Sequence, residues 1–490
     1  MTIKDQQLSV AIDYRECEKE PITMPGAIQS YGGLLVIERG EVSAYSKNLN
    51  LFLPIDPSNF LHKRISEALP ELNELFMSAC SQLAEGQTSF QNLGQWIVGF
   101  RRAASEVFYL EFFPQPTHIF DLKGLEDEVD HLSRKFHYPM KNRAEFLNDI
   151  CHLFQKYLKF DQIFVQVFQE GEIIEVVAEA NTGKIEAVIG LHFSSKEIPS
   201  QARDLYLKQL IRFKQASQDS AVDIVNNGIG DVNLTHSLLR EPSKFMTIYM
   251  QNISASTLLS CSIVIEKQLT ALITMHNAIP LLLDPRSFDS VVKIVQKISL
   301  ELLRIDYLIE KNANSKLWEL LTQNFPLDRL AAIGQLITSP KLERSVDHSG
   351  AVVTKDGKIF SSIGECPIGE ALGSIIQKAL NVNGPIYFSS NLEIDLALPA
   401  ILLGDFAGAL IIKFEDICIF FFRKNFHLEL KWRSSVPTNT DEVTNLPRFS
   451  PGGSFQFFIE EFANQSRPWT EKDIAFAKVI ANWISEDFES

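Results

Sequence analysis

The sequence predicts an α+β protein of three consecutive domains, in which antiparallel central sheets are joined by long helices. Three observations carry this prediction. The chain has 490 residues, and a typical domain has about 150. Apolar runs of strand length recur in three separate regions. Between them, apolar residues recur at helical spacing. We place the domains at residues 1–123, 124–310 and 311–490.

The composition is that of a globular protein with an acidic balance. Hydrophobic residues make up 45%, and 35 phenylalanines need buried positions, so intrinsic disorder is not the main state. The formal net charge of −15 argues against nucleic acid and anionic lipid as partners, because both need clustered cations. The sequence contains no signal peptide, no apolar run of about 18 residues and no CxxC pair. We expect a cytoplasmic protein with reduced thiols that binds neither nucleic acid nor a membrane.

The first region mixes strands with short helices. Residues 32–37 are an apolar run, and after a turn that contains one glycine, residues 41–45 alternate as a half-buried strand does. Residues 69–83 repeat apolar side chains at helical spacing, and residues 107–113 return to strand character. Sheet and short helices within about 120 residues predict a small α+β domain.

The middle region begins with a charge-rich stretch at 122–136, which predicts a connecting helix. A long insertion that includes Gly228 and Gly230 separates two pairs of strands. Such a loop inside a compact domain is usually functional or partly folded. The predicted strands are 162–168, 172–178, 258–265 and 269–276.

Residues 286–324 contain neither proline nor glycine, and their apolar side chains recur at helical spacing. A continuous helix of that length would reach roughly 55 Å. It would join two domains and could pack against its twin in a homodimer. The last region again alternates helices with strands. We expect its strands at 350–353, 407–414, 416–423 and 426–432, and its final helix at 471–484.

Recognisable enzyme motifs are absent from the sequence. The tripeptide Thr182-Gly183-Lys184 is not a phosphate-binding loop, because the upstream glycine and the following hydroxyl residue are missing. The sequence has no HExxH zinc motif, no GxSxG nucleophile motif and no metal-type pair of cysteines or histidines. We therefore expect no catalytic residue, no metal site and no catalytic output domain in this chain.

Two strings of residues stand out from this background. The first is CEKEPITMPGAIQ, which begins at Cys17, and the second is GLHFSSKEIPSQARDLY, which begins at Gly190. Taken alone, Cys17 is typical of a free thiol on a loose N-terminal arm. Taken alone, the second string is typical of a helix start, with Pro199 near its N-terminus.

With further stretches, these strings resemble the photosensory core of phytochromes, especially the biliverdin-binding bacterial group. The first resembles the opening of the PAS domain, and the second resembles the bilin motif of the GAF domain. Residues 234–240 and 249–252 are similar to the next GAF stretch, and 260–264 and 272–276 to the two strands behind the chromophore. Residues 447–455 resemble the tongue hairpin of the PHY domain. The resemblance implies PAS, GAF and PHY domains in that order.

The resemblance also implies a biliverdin site in the GAF domain. In this group a thioether joins an N-terminal cysteine to ring A, and Cys17 has that position. Ser243 and Ser260 match hydroxyl positions near the two propionates. The cofactor-binding residues that the resemblance implies are Cys17, Glu197, Ile198, Tyr206, Arg212, Arg240, Ser243, Met246, Tyr249, Ser260 and His276.

Five further positions have specific roles in the family. Arg212 and Arg240 match arginines that bind the propionates, and guanidinium groups suit carboxylates because they bind them bidentately. Tyr206 and Tyr249 match tyrosines near ring D, the ring that isomerises. His276 matches a histidine that hydrogen-bonds to the ring D carbonyl.

Four positions depart from the family pattern. Glu197 replaces an aspartate, Met246 a pocket histidine, Gln166 a tyrosine near ring D, and Gly452 a tongue arginine. A thioether cannot donate a hydrogen bond, and glycine carries no charge. We therefore expect atypical photochemistry. Arg448, four residues upstream of Gly452, is the candidate replacement for the tongue cation.

Three functions fit these observations. The first, which we favour, is a red/far-red photoreceptor module that binds biliverdin covalently and relays ring D photoisomerisation through the PHY tongue and the long helix. The second is a degenerate, chromophore-poor phytochrome that acts as a dimeric scaffold or interaction module. The third is a GAF-class sensor of a small ligand such as a cyclic nucleotide, which leaves the Cys17 string and the tongue unexplained. The output partner stays open in each case.

Overall fold

The protein divides into two compact units. Unit 1 comprises residues 1–303 and 431–458, and unit 2 comprises residues 304–430 and 459–490. The computed structural model of the chain describes residues 20–53, 56–135, 143–169, 173–194, 198–228, 230–321, 328–339, 342, 345–382, 384–426, 428–434, 456–462, 465–467 and 469–486.

Unit 1 contains two sheets and several helices before residue 304. Its strands there are β1 Ala27–Ile28, β2 Gly33–Glu38, β3 Glu41–Ser46, β4 Thr88–Leu93, β5 Trp96–Ala104, β6 Val107–Pro114, β7 Gln162–Gln169, β8 Ile173–Asn181, β9 Leu191–Ser194, β10 Ile211–Lys214, β11 Val222–Asn226, β12 Thr257–Ile265 and β13 Gln268–Asn277. Its helices are α1 Ile65–Ala68, α2 Asn73–Gln82, α3 Leu122–Lys135, α4 Arg143–Leu158, α5 Ser200–Lys208, α6 Lys244–Asn252 and the first part of α7 Phe288–Leu321.

The first sheet has the strand order β1-β11-β3-β2-β6-β5-β4, with antiparallel neighbours throughout. Leu35 and Ile37 of β2 are two residues apart, so they project from the same face. There they join a buried core that includes Phe112 of β6 and Phe76 of α2. Strand β11 comes from the long insertion of the middle region, which is therefore partly folded and completes a sheet that begins far upstream.

The helix predicted at 69–83 begins later than expected. Leu69 precedes Pro70, and the residue before a proline is disfavoured from helical geometry. Leu69 accordingly has a φ of −141°. A short 3-10 turn, Pro70–Leu72, follows, and α2 begins at Asn73.

The second sheet has the order β10-β12-β13-β7-β8-β9, and these neighbours are all antiparallel. Helix α4 contacts β7 and β8. Phe146, Ile150 and Phe154 of α4 follow one another at four-residue spacing, so they lie on one side of the helix, and all three are fully buried.

Unit 2 contains one sheet with helices on both faces. Its strands are β14 Gly350–Lys355, β15 Lys358–Gly364, β16 Ile386–Ser389, β17 Phe406–Phe414 and β18 Ile417–Lys424, in the antiparallel order β15-β14-β18-β17-β16. Its helices are α8 Arg329–Ile337, α9 Gly369–Leu380, α10 Leu392–Asp395, α11 Ala400–Leu403 and α12 Glu471–Glu486.

Residues 431–434 and 456–458 of unit 1 belong to two further strands of its second sheet. These strands are β19 Leu428–Ser434 and β20 Gln456–Phe462. Lys431 and Trp432 pair in parallel with Leu191 and His192 of β9, and β20 lies next to β19. The pairings given above for β1 to β18 are all antiparallel, so this parallel pair is an exception to them. The predicted α+β fold with three sheets is confirmed.

The long helix predicted at 286–324 is also present. It is α7, Phe288–Leu321, which runs for 34 residues. None of the helices that the structure describes combines the length and the apolar composition that a bilayer crossing requires.

Candidate functional site

A cavity in unit 1 is walled on one side by the second sheet. Phe164 and Gln166 of β7, and Leu272 and Thr274 of β13, line it; within each pair the residues are two apart and share a face. Ser260 of β12 pairs with Thr274, and their hydroxyl oxygens are 3.3 Å apart. The cavity volume is about 180 Å³.

The other walls come from segments that the sequence singled out. Ile198 and Tyr206 belong to the second string, and Tyr206 is placed by α5. Met246 and Tyr249 come from α6. Ile22, from the first string, also lines the cavity. Two strings that are far apart in sequence therefore meet at one apolar space.

Two buried arginines line this cavity. Arg212 of β10 and Arg240 have 8% and 7% of their surface exposed. Nη1 of Arg240 donates to the carbonyl of Ile22 at 2.6 Å. Within the described residues, Nε of Arg240 and Nη2 of Arg212 have no hydrogen-bond acceptor. An unpaired buried cation is costly, so these groups favour an anionic ligand.

The pKa values of the two arginines are lowered, because the cations are buried without enough negative charge nearby. Burial, and next the charge of Arg240, lowers the pKa of Arg212 well below its usual value. Burial lowers the pKa of Arg240 to about 10. Burial also raises the pKa of the Tyr206 hydroxyl, although the Arg212 guanidinium, 5.4 Å from the centre of its ring, opposes this. A carboxylate bound here would stabilise both cations.

The N-terminal segment is bonded to the edge of the cavity. Nε2 of Gln29 donates to the carbonyl of Phe213 at 2.7 Å. The carboxylate of Glu20 accepts hydrogen bonds from the hydroxyl of Ser243 and, at 3.1 Å, from the amide of Lys244. The segment that follows Cys17 in the sequence is thereby held at the N-terminus of α6. The Ser243 hydroxyl lines the cavity, but its proton is donated to Glu20.

The structure brings most of the predicted site residues together. Cys17, Glu197, Gly452 and Arg448 lie outside the described residues. The predicted residues that line the cavity are Ile198, Tyr206, Arg212, Arg240, Ser243, Met246, Tyr249 and Ser260.

His276 lies next to the cavity without lining it. Its ring centre is 6.0 Å from that of Tyr249 and 5.2 Å from that of Phe164. Its Nδ1 is 3.0 Å from Oε1 of Gln162. The residue is fully buried. Its contact with a ring D carbonyl stays a prediction.

Sequence reasoning missed two polar residues of the site. Gln209, with 7% of its surface exposed, lines the cavity, and its Oε1 has no donor within the described residues. It lies three positions after Tyr206, just beyond the end of the second string. Glu111 is fully buried in β6 and bonds to the segment before Arg240. A lone acid in the apolar run FYLEFF was the signal that could have revealed it.

Family models match two parts of the chain, and similar proteins cover most of it. A family model described as PAS fold matches residues 17–113, and a model described as phytochrome region matches residues 317–489. A bacteriophytochrome of Pseudomonas aeruginosa is 24% identical over 95% of this chain and 65% of its own length. Cyanobacterial phytochrome B of Nostoc sp. is 24% identical over 99% of this chain and 67% of its own length. Together these matches support a phytochrome photosensory core.

A solved structure extends the likeness from sequence to fold. The crystal structure of a bacteriophytochrome from the photosynthetic bacterium R. palustris has a TM-score of 0.78 at 19% identity, covering 96% of this chain and 99% of that chain. The chain thus has the fold of that structure, with PAS and PHY domains. It spans about two thirds of the length of the two curated relatives. The predicted domain boundaries at 123 and 310 stay predictions. The first sheet, whose other strands precede residue 123, also takes in Val222–Asn226.

Proposed function

We propose that the protein is a photosensory module that binds biliverdin in the cavity of unit 1. The observation that carries this proposal is the pair of buried arginines with unpaired N–H groups on an apolar cavity. Biliverdin is a flat, largely apolar tetrapyrrole with two propionates, so it needs an apolar slot and cationic partners. The named relatives are phytochromes, which adds support.

The residues of the cavity suit such a ligand in kind and position. Arg212 and Arg240 hold the propionates through charge-assisted hydrogen bonds. Tyr206 and Tyr249 pack against the rings, and the hydroxyl of Ser260 offers a polar contact. The chemistry that the bound pigment supplies is light absorption and isomerisation at ring D. The protein residues bind and orient it and exclude water.

We also propose that the Cys17 thiol adds across a vinyl group of ring A, so that a C–S and a C–H bond replace the S–H bond and the C=C π bond and leave a thioether. Glu20 follows Cys17 by three residues and is bonded to Ser243 and Lys244 beside the cavity. An extended chain covers three residues in about 10 Å. Ile22, two residues further on, lines the cavity itself.

The test is to incubate the purified protein with biliverdin and then denature it. We expect wild-type protein to keep its colour and to fluoresce with zinc on a denaturing gel. Cys17→Ser should take up pigment without the bond and lose it on denaturation. Cys80→Ser is the matched control, since Cys80 is a half-buried thiol outside the cavity lining; it should behave as wild type. Mass spectrometry that finds no adduct at Cys17, with an absorption band equal to that of free biliverdin, would overturn the proposal.

A degenerate phytochrome scaffold is the second candidate. Met246 and Gln166 line the cavity at positions where the family pattern has a histidine and a tyrosine. Neither replacement has an aromatic ring or a titratable group. Absorption spectra before and after red and far-red illumination separate the candidates. A reversible difference spectrum favours the photoreceptor, and a bound pigment that does not respond to light favours the scaffold.

We further propose that the protein forms a homodimer through α7. Leu300, Leu303 and Tyr307 recur at helical spacing, and 66%, 38% and 58% of their surfaces are exposed. Exposed apolar side chains along one helix are typical of helix–helix interfaces. Light scattering that gives a monomer, at concentrations where the pigment binds, would contradict this.

A further inference from the structure

A buried carboxylate of the first sheet reaches the wall of the cavity. Glu111 of β6 is fully buried. Its Oε1 accepts three hydrogen bonds from one short segment. They come from the hydroxyl of Ser237 at 2.7 Å, the amide of Leu238 at 2.8 Å and the amide of Leu239 at 3.2 Å. One oxygen atom therefore fixes three consecutive residues.

The segment that Glu111 holds is part of the pigment site. Ser237, Leu238 and Arg240 all line the cavity. Leu239, which directly precedes Arg240, is also bonded on its other side, because its carbonyl accepts from the amide of Gln29 at 2.8 Å. The backbone of the residue before Arg240 is thus held by the first sheet and by the N-terminal segment together.

The same strand makes a second contact with the segment. The hydroxyl of Tyr109, two residues before Glu111 on β6, donates to the carbonyl of Asn233. Side chains two apart on a strand share a face. Tyr109 and Glu111 of β6 therefore bond to the two ends of the segment 233–239. Burial raises the pKa of Tyr109, which keeps its hydroxyl protonated as a donor.

The obvious alternative is that Glu111 exists to neutralise Arg101. The geometry argues against this as its main role. Nε of Arg101 lies 3.6 Å from Oε2 of Glu111, and within the described residues neither atom has a hydrogen-bond partner. Nη1 of Arg101 instead donates to the carbonyl of Gly86 at 2.8 Å. The hydrogen bonds of the carboxylate go to the segment before Arg240, and the arginine is a second, looser partner.

We propose that Glu111 is a positioning residue of the pigment site: it fixes the backbone of residues 237–239 so that Arg240 meets the carboxylate of the ligand. This rests on the proposed function. It means that the N-terminal domain, from which Ile22 alone among the described residues lines the cavity, sets the geometry of anion binding there.

The test compares biliverdin with its dimethyl ester, in which methyl groups neutralise both propionates. Glu111→Gln keeps the size of the side chain but removes its charge. In a Cys17→Ser background, where binding is reversible, absorption titrations would use biliverdin and biliverdin dimethyl ester. We expect Glu111→Gln to weaken biliverdin binding roughly tenfold, as expected for a hydrogen bond to a charged group, and to leave the ester unchanged. Adding Arg240→Met to Glu111→Gln should cause no more loss than Arg240→Met alone.

Controls separate this from a general loss of structure. Asp161→Asn is the matched control, because Asp161 is also buried, accepts from the amide of Ala278 at 3.0 Å and pairs with Lys184 at 2.8 Å, but does not line the cavity. It should change neither affinity. If Glu111→Gln does not fold, Glu111→Asp keeps the charge but shortens the side chain by one methylene, which weakens its hydrogen bonds to residues 237–239, and it should weaken biliverdin, but not the ester, by a smaller factor.

Equal weakening of both ligands by either variant would overturn the proposal, because it would reveal a merely structural role. Unchanged biliverdin affinity in a folded Glu111→Gln protein would overturn it as well. The proposed function fails separately, when the parent Cys17→Ser protein binds neither ligand at any concentration tested.

Discussion

The second sheet of unit 1 and the sheet of unit 2 are built from similar antiparallel strands, yet their faces are covered differently. In unit 2, Phe421 and its neighbours pack under α8 and α12, and Phe420 packs under α9 on the other face. In unit 1, one face carries Gln166, Ser260 and Thr274 and borders the cavity. Burial of apolar area contributes about 25 cal/mol per Å², so the open face lacks stabilisation that the filled one has. Whether a sheet borders a ligand cavity therefore depends on the side chains on its face more than on the order of its strands.

Matched phenylalanines give the strongest test of this comparison. Phe421 and Phe164 are both buried, but Phe421 packs against Phe476 with ring centres 5.7 Å apart, whereas Phe164 borders empty space. We expect Phe421→Ala to lower the free energy of unfolding of unit 2 by about 3–5 kcal/mol. Phe164→Ala should cost unit 1 only about 2 kcal/mol, because part of its contact shell is already missing. Hydrogen exchange during urea unfolding assigns each loss to its unit. Equal losses of unfolding free energy in the two variants would contradict the difference in packing between the two sheets.

Matched arginines give the next largest effect. Arg423 of unit 2 is buried like Arg212, but it is paired with Asp473 at 3.1 Å and lies over the ring of Trp469 at 3.7 Å. Arg423→Met should lower the free energy of unfolding by about 3 kcal/mol, because it leaves a buried carboxylate unpaired. Arg212→Met should raise that of the pigment-free protein by about 1 kcal/mol, because it removes an under-bonded cation.

The arginine comparison also has a binding arm. Arg212→Met should weaken biliverdin binding at least tenfold, while Arg423→Met should leave it unchanged in folded protein. Thermal melts and absorption titrations on the same samples measure both effects. A destabilised Arg212→Met apoprotein would show that the cation is satisfied without a ligand, which contradicts the interpretation of the cavity.

A smaller effect is expected from pH. Burial, and next the charge of Arg101, lowers the pKa of His236 below its usual value of 6.5, although Glu85 opposes this. The unfolded chain then binds the proton more readily, so the contribution of His236 to stability is present above pH 6.5 and is lost as pH falls through the folded-state pKa. His236→Gln should remove that loss, a difference under about 1 kcal/mol between pH 7.5 and 5.5. Identical pH profiles of unit 1 unfolding in the two proteins would contradict the assignment.

Local signals explain why most of the fold could be predicted from the sequence. The strands expected at 258–265 and 269–276 are Thr257–Ile265 and Gln268–Asn277, because alternation and a polar turn are encoded in neighbouring residues. Strand β11 was not foreseen. Its residue Ile224 pairs with Ser46, far away in the sequence, and no local pattern encodes a partner at that distance.

The site divides in the same way. Tyr206, Arg212 and Arg240 were found because they lie in strings that resemble a known family. Gln209 and Glu111 were missed, since their roles come from where their oxygens point. A carboxylate in the middle of an apolar strand signals that some buried donor must exist, but the sequence does not say which one.

The late arrival of β11 has a consequence for synthesis on the ribosome. Strands β1 to β6 end at Pro114, whereas β11 begins at Val222. At about 5–20 residues per second, the intervening roughly 110 residues take on the order of 5–20 s to translate. Throughout that interval the nascent sheet presents the outer edge of β3, and an open edge is a template for adhesion between chains. Shielding of this edge by chaperones should therefore govern the yield of native protein, and fragments truncated before residue 226 should aggregate even with an intact N-terminal core.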